Sequence, residues 1–255
     1  MIVAMPSRNK GWSSMLSTRM RLSGVMALVL LADLPASAQN PAHDISQYGH
    51  TSWTLREGSL AGPPRAITQT TDGYLWLATD SGLLRFDGVR FTEWRAPADV
   101  TLPSTVITSL LSGRNGAMWI GTTLGLARWH QRVLTRYSAL DGHYISALVE
   151  GRNGTVWAGT NTVGGNATLC AIQQDQINCA GSDGQLGRGI LALHEDSAGQ
   201  LWVGASSGLW RWDSRKPVRY SPPPASGEVH AIISTPSSLL AAVNRALLTV
   251  AVGIT

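Results

Sequence analysis

The sequence predicts an all-β chain built from repeated units of four short antiparallel strands, and three observations support that fold class. Tryptophan recurs every 38 to 45 residues in similar surroundings, at Trp76, Trp119, Trp157 and Trp202. Each of these tryptophans lies three residues after a glycine, which in the first three units ends an Asp-Gly or Asn-Gly dipeptide. The apolar runs between the turns are too short for helices of ten or more residues. Repetition at this interval is typical of stacked repeat architectures.

The turn glycines define the strands of each unit. These glycines are Gly73, Gly116, Gly154 and Gly199. Asp-Gly and Asn-Gly dipeptides accept positive φ at low cost and favour tight turns between paired strands. The apolar run before each turn is therefore the first, innermost strand, and the run around each tryptophan is the second. A further glycine, as at Gly82, begins the third strand, and Asp87-Gly88 turns into the fourth.

One such sheet cannot bury both of its faces, so the units must stack, and tryptophan is large enough to fill the space between them. The sequence therefore predicts a partial β-propeller, an open or incomplete ring of four to five four-stranded blades. The blades are expected at 64–95, 104–138, 144–180 and 189–221, with a partial fifth at 228–255. Residues 39–63 form an expected N-terminal segment in which Tyr48 to Trp53 is a candidate ring-closing strand, and Pro222 to Pro224 link two blades.

Residues 1–38 are interpreted as a secretory signal peptide. Arg19 and Arg21 precede the apolar run Leu22 to Leu34, and Ala36-Ser37-Ala38 is a small-x-small cleavage site. The run is shorter than the roughly 20 residues that span a bilayer, so we expect export to the periplasm and no membrane span. The alternative is an uncleaved anchor.

Charge argues against a nucleic-acid partner. The formal net charge of the whole chain is +4, but much of it belongs to the leader, and Lys216 is the only lysine beyond it. The remaining arginines are scattered, whereas a nucleic-acid binder concentrates basic side chains on one face.

The two cysteines predict a disulfide. A hairpin that turns at Gln174-Asp175 pairs residue 172 with 177 and places Cys170 directly opposite Cys179. Directly opposed Cβ atoms lie about 4.5–5.5 Å apart, which approaches disulfide geometry. Export permits oxidation. The alternative is a pair of buried free thiols.

Motifs for catalysis are missing from the sequence. The histidines show no HExxH spacing, and no Gly-x-Ser-x-Gly elbow or nucleotide-binding loop occurs. The stretch Leu193-His194-Glu195-Asp196 superficially resembles a phosphoacceptor site, but it aligns with the strand and turn of the repeat. Carboxylates brought together from different blades, with Asp80, Glu150 and Glu195 near strand ends, remain an open route to glycoside hydrolysis. We expect no enzyme activity, no cofactor and no metal.

The run from Ile67 to Gly88, which reads I-T-Q-T-T-D-G-Y-L-W-L-A-T-D-S-G-L-L-R-F-D-G, resembles the two-component regulator propeller repeat. The pattern recurs more weakly in the next three blocks. The resemblance implies the periplasmic sensor region of a bacterial sensor histidine kinase, which binds a small-molecule or glycan signal and signals through a homodimer of the full-length protein. Such relatives carry two seven-bladed rings, a membrane helix and a kinase, so we expect this chain to be an N-terminal fragment.

The register of the repeat places candidate ligand-binding side chains in loops at the ends of the innermost strands. They are Arg65, Arg114, Arg152, Arg188 and Tyr144. The alternative for the arginines is simple solvation. Two further functions stay open: a free-standing exported binding or scaffold propeller, and a propeller lyase or glycosidase.

Overall fold

The computed structural model describes Trp53, Leu60 and residues 62–97, 100–162, 164–213, 216–220, 227–235, 238–244 and 246–251. The predicted signal peptide, all but Trp53 of the candidate ring-closing strand, and the proline link at 222–224 lie outside these residues. Within them the chain is all-β and forms a partial propeller, as the sequence predicts.

Five antiparallel sheets follow one another along the chain, and in each the strands lie in sequence order. The first blade contains β1 (Pro64–Gln69), β2 (Leu75–Thr79), β3 (Gly82–Phe86) and β4 (Phe91–Trp94). The second contains β5 (Ile107–Ser112), β6 (Met118–Thr122), β7 (Gly125–His130) and β8 (Val133–Tyr137), followed by a short 3₁₀ turn (Ser138–Leu140). The third contains β9 (Tyr144–Glu150), β10 (Val156–Asn161), β11 (Leu169–Gln173) and β12 (Gln176–Ala180). The fourth contains β13 (Ile190–Glu195), β14 (Leu201–Ala205), β15 (Gly208–Trp212) and β16 (Val218–Tyr220). The fifth contains three strands, β17 (Val229–Ser234), β18 (Ser238–Val243) and β19 (Ala246–Ala251).

The four turn glycines lie between the first and second strands of their blades, and all four have positive φ of 79° to 89°. A residue with a Cβ would strain the backbone there. In the second blade the turn is fixed further by Asn115, whose side-chain oxygen accepts the backbone N–H of Ala117 at 3.0 Å. Glycine and asparagine therefore provide the tight connection that keeps β5 beside β6.

The blades stack in chain order through their first strands, with β1 next to β5, β5 next to β9, β9 next to β13 and β13 next to β17. Tryptophan fills each space between neighbours, as the sequence predicts. Trp76 packs against the second blade, Trp119 against the third, Trp157 against the fourth and Trp202 against the fifth. Trp157 is half-buried, and the other three are buried.

Small residues on the second strands let the blades approach closely. A Cβ on Gly159 would lie 2.5 Å from Cγ2 of Ile190 in the next blade, and one on Gly121 would lie 2.8 Å from Cγ2 of Ile145. Each branched side chain thus sits where the neighbouring strand has no side chain of its own. The requirement for close approach explains the glycine that follows two residues after tryptophan in these blades.

The third blade confirms the predicted disulfide and its register. Ile172 pairs with Ile177, and Cys170 pairs with Cys179 across β11 and β12, with their Cα atoms 4.0 Å apart and their sulfurs bonded. The hairpin turns at Gln174 and Asp175, which adopt positive φ of 49° and 63°. The described part of the chain contains no helix with the length and hydropathy needed to cross a bilayer.

Candidate ligand-binding site at the channel mouth

The first strands bring different functional groups to their two ends. We call the end where each first strand begins the mouth, and the end where it turns into the second strand the turn end. Arg65, Tyr144 and Arg188 lie at the mouth, whereas Arg114 and Arg152 lie at the turn end. The structure therefore divides the predicted ligand-binding residues between two separate places.

A β-bulge interrupts every first strand at the same position near the mouth. The extra residues are Arg65, Thr108, Ser146, Leu191 and His230. A bulge re-aims the side chain that it carries and leaves backbone groups without a partner in the ladder. The predicted loop position of Arg65 is therefore wrong: Arg65 lies within β1, at its bulge.

Two of the bulged hydroxyls connect neighbouring blades. Thr108 donates to the carbonyl oxygen of Ile145 at 2.6 Å, and Ser146 donates to the carbonyl oxygen of Ile190. These carbonyls belong to the residues just before the next bulge, where the ladder is broken. In both cases the hydroxyl of one blade thus provides a hydrogen bond to a backbone carbonyl oxygen of the following blade.

Arg65 forms an ion pair with Asp80 of the turn between β2 and β3. The hydrogen bond from Arg65 lowers the pKa of the Asp80 carboxyl, and the same bond raises the pKa of Arg65. Tyr144 of the third blade also acts electrostatically on Arg65. Arg65 and Tyr144 lie at the same end of the first strands, although they are separated by a whole blade in sequence.

Arg188 lies at the mouth, two residues before β13. The residue is exposed, and no hydrogen bond or ion pair of its side chain occurs with the described residues. Its backbone is fixed on both sides: its N–H donates to Ser206 at 2.9 Å, and its carbonyl oxygen accepts the N–H of Thr162 at 2.9 Å. A cationic group held on a rigid backbone and free of a counter-charge is suited to binding an anionic or hydroxyl-rich ligand.

The two arginines at the turn end connect blades. The backbone N–H of Arg114 donates to Glu150 at 2.8 Å, and its guanidinium donates to the carbonyl oxygens of Glu150, Gly151 and Arg152 in the next turn. The backbone N–H of Arg152 donates to Glu195 of the fourth blade at 2.7 Å. Arg114 and Arg152 thus belong to contacts between blades, and they are poorer candidates for ligand binding than Arg188.

A rule that sequence analysis missed underlies these contacts. Two of the turns between a first and a second strand begin with glycine, at Gly113 and Gly151. In both cases the first strand of the following blade ends in glutamate, at Glu150 and Glu195 respectively. In the other two turns Thr70 and Asp196 take the glycine position, and each accepts the indole N–H of its own tryptophan, at 3.0 and 2.8 Å. There the next first strands end in serine. The co-occurrence could have been read from the aligned repeats.

No set of three or more histidine, cysteine or acidic side chains suited to a metal occurs in the described ranges. Asp80, Glu150 and Glu195, which the sequence offered as carboxylates near strand ends, divide between the two ends. Asp80 lies at the mouth, and the other two accept turn N–H groups at the opposite end.

Comparisons with known proteins agree with this architecture. A family described as "Two component regulator propeller" matches residues 101–123 and 139–162. The extracellular domain of BT4673 from B. thetaiotaomicron, described as a one component or hybrid two component system, superposes with a TM-score of 0.62 and 16% identity. The match covers 78% of this chain and 28% of that chain.

Other solved structures share the fold. PorZ, a surface component of the type-IX secretion system of Porphyromonas gingivalis, gives a TM-score of 0.58 at 12% identity, covering 76% of this chain and 34% of that one. A gluconolactonase from Xanthomonas campestris gives 0.50 at 14% identity, covering 71% and 69%. The chain thus spans about 28% of the solved extracellular domain of BT4673 and 34% of the solved PorZ chain. No curated protein matches it.

Proposed function

Because the chain carries two-component regulator propeller repeats, we propose that it is a ligand-sensing propeller region of a two-component sensor, located in the periplasm. The observation that carries the proposal is the match of residues 101–123 and 139–162 to that family. The fold shared with the extracellular domain of BT4673 supports it. The region binds its signal without converting it, and its full-length protein signals as a homodimer.

The mouth is the proposed binding site, and a glycan or other small molecule with an anionic group is the proposed signal. Arg188 supplies a cation whose side chain has no partner in the part of the chain that the structure describes, and its backbone is hydrogen-bonded on both sides. Tyr144 supplies an aromatic ring with a hydroxyl. Tyr144 begins the first strand of the third blade, and Arg188 lies just before the first strand of the fourth. Arg65 is already neutralised by Asp80, so its role is to hold the mouth together and to contribute polar edges to a ligand.

The first test is binding of the full chain to a panel of neutral and acidic oligosaccharides, measured by calorimetry. We expect an acidic oligosaccharide to bind and Arg188→Gln to weaken that binding at least tenfold. The matched control is Arg90→Gln, an exposed arginine in the outer turn of the first blade whose carboxylate partner, Asp87, is 3.9 Å away. Equal binding by the Arg188 and Arg90 variants, or no binding at all, would contradict the proposed site.

A second test separates sensing from the alternatives. Mass spectrometry of the oligosaccharide after incubation should find it unchanged, whereas a lyase or glycosidase would release shorter products. In cells, deletion of the gene should abolish a transcriptional response to the same oligosaccharide. The Arg188→Gln gene should fail to restore that response. A normal response in the deletion strain would instead favour an exported binding or scaffold propeller.

A further inference from the structure

A cluster at the outer rim joins the second blade to the disulfide hairpin of the third. Asp175, at the tip of the β11–β12 hairpin, lies 2.8 Å from Nη1 of Arg128 and accepts a hydrogen bond from the hydroxyl of Tyr137 at 2.6 Å. Arg128 lies on β7 and Tyr137 ends β8. We call these three residues the rim clamp. It lies on the third and fourth strands of the second blade and on the outer hairpin of the third.

Asp175 of the third blade pairs with the cation of Arg128 in the second blade. The guanidinium of Arg128 lies over the ring of Trp119, 5.6 Å from the ring centre, and the ring of Tyr137 stacks on that tryptophan at 5.4 Å. Among the described residues, Nε of Arg128 is buried without a hydrogen-bond partner. Asp175 is therefore the counter-charge of a largely buried cation. Burial and the bond to Asp175 together raise the pKa of Tyr137.

The disulfide lies within the hairpin that carries Asp175. Gln174 and Asp175 both adopt positive φ although neither is glycine. L-residues disfavour that conformation, so the flanking strands must impose it. β12 is an exposed outer strand, and its covalent tie to β11 is the bond from Cys179 to the buried Cys170.

We propose that the Cys170–Cys179 disulfide is a redox-responsive latch that sets the rim contact between the second and third blades. When the bond is intact, the hairpin holds Asp175 on Arg128 and Tyr137. When it is reduced, the hairpin relaxes, Asp175 leaves the clamp, and the outer strands of the second blade loosen. The contacts between the first strands persist, because β9 lies directly beside β5 and β13.

The reduction is an ordinary thiol–disulfide exchange with a dithiol reductant. A thiolate of the dithiol attacks the sulfur of Cys179, which is the exposed member of the pair. The S–S bond breaks, and its electron pair leaves on the sulfur of Cys170, which takes up a proton. The second thiol of the reductant then closes on the first and releases Cys179 as a thiol. Two electrons and two protons reach the protein, and the dithiol becomes a disulfide.

Hydrogen exchange of the full chain, oxidised and reduced, tests the latch. We expect reduction by a dithiol to accelerate amide exchange in β8 at least fivefold, while β13 and β14 of the fourth blade stay unchanged. Acceleration confined to β11 and β12 is the expected result of merely cutting a cross-link. That result would overturn the proposal, because β8 carries no cysteine.

Two variants connect the effect to the clamp. Oxidised Asp175→Asn should reproduce the faster exchange of β8, and its reduction should add little. The matched control is Asp183→Asn, an exposed aspartate between β12 and β13 whose carboxylate accepts the N–H of Gln185 at 3.2 Å. The Cys170→Ser/Cys179→Ser double variant should be insensitive to the dithiol. Slow exchange of β8 in oxidised Asp175→Asn would refute the role of Asp175.

Discussion

The carboxylate of Glu195 occupies the space that a side chain on Gly151 would need. A Cβ on Gly151 would lie 2.5 Å from one oxygen of Glu195, and the other oxygen accepts the backbone N–H of Arg152 at 2.7 Å. The turn of the third blade and the first strand of the fourth thus fit only as a pair. Gly121 with Ile145 and Gly159 with Ile190 fit together between neighbouring blades in the same way.

Replacing Gly151 should weaken the contact between the third and fourth blades. Gly151→Ala forces Glu195 away and leaves the N–H of Arg152 without its acceptor, so we expect a loss of about 1–3 kcal/mol in the free energy of unfolding. Denaturant titration measures it. The control is Gly165→Ala, where the new Cβ would meet Thr162 at an ordinary 3.5 Å and the change should stay within about 0.5 kcal/mol. Equal midpoints for the two variants would show that the close approach is unimportant.

The indole N–H of Trp202 should contribute to the free energy of unfolding in addition to the packing of the ring. It donates to the buried carboxylate of Asp196 at 2.8 Å. Trp202→Phe removes that donor and leaves a buried acceptor short of one bond, so we expect a loss of about 2–4 kcal/mol. Trp157→Phe is the control, because Trp157 is half-buried and its turn has Gly151 in place of an acceptor side chain. Thermal unfolding of both variants compares them, and a smaller loss at Trp202 would contradict this account.

Acidification should weaken the fourth and fifth blades through His194, whose Nε2 lies 2.8 Å from Oγ of Ser234. Burial lowers the pKa of His194 in the folded chain, and nearby Asp196 and Glu195 only partly oppose it. Below the ordinary pKa of about 6.5 the unfolded chain therefore binds a proton that the folded chain resists. Stability should fall as pH drops below that value. Unfolding midpoints measured between pH 8 and 5 test this prediction. His194→Gln should make the midpoint less dependent on pH. An unchanged dependence in that variant would show that a group other than His194 titrates.

Alkaline conditions should weaken the rim through Tyr137. Burial, and next the bond to Asp175, raise the pKa of Tyr137 above its ordinary value of about 10. Above pH 10 the unfolded chain loses the phenolic proton while the folded chain retains it, so stability should decline as pH rises further. Denaturant midpoints at pH 8.5 and 10.5 measure the decline. Tyr137→Phe should show a smaller decline than the parent, and an equal one would place the titrating group elsewhere.

Local features of this fold were predictable from the sequence. The turn glycines, the burial between blades of Trp76, Trp119 and Trp202, and the pairing of Cys170 with Cys179 all follow from residues within one blade. In each case a short-range rule of turn geometry or side-chain alternation is enough. A two-residue turn at Gln174-Asp175 fixes every pair along its hairpin, because strand register propagates from the turn.

Features that depend on neighbouring blades escaped prediction. Arg114 and Arg152 stood out as loop arginines, yet the backbone N–H of each donates to a glutamate of the following blade. The bulge that places Arg65 within a strand is likewise invisible in a list of apolar residues, because bulges depend on the partner strand. Among the four predicted arginines, Arg188 alone has no carboxylate partner in the described ranges, and its role as a ligand-binding residue stays a prediction.

The hydrogen bonds donated by the hydroxyls at the bulges both run from one blade to the next blade along the chain. Thr108 donates forward to Ile145, and Ser146 donates forward to Ile190; the N–H groups of Arg114 and Arg152 likewise donate to the following blade. A ribosome makes the chain from its N-terminus, so in each of these contacts the donor is synthesised before its acceptor. The third and fourth blades therefore each meet a preceding blade whose donors are already in place, and their assembly can proceed in the order of translation.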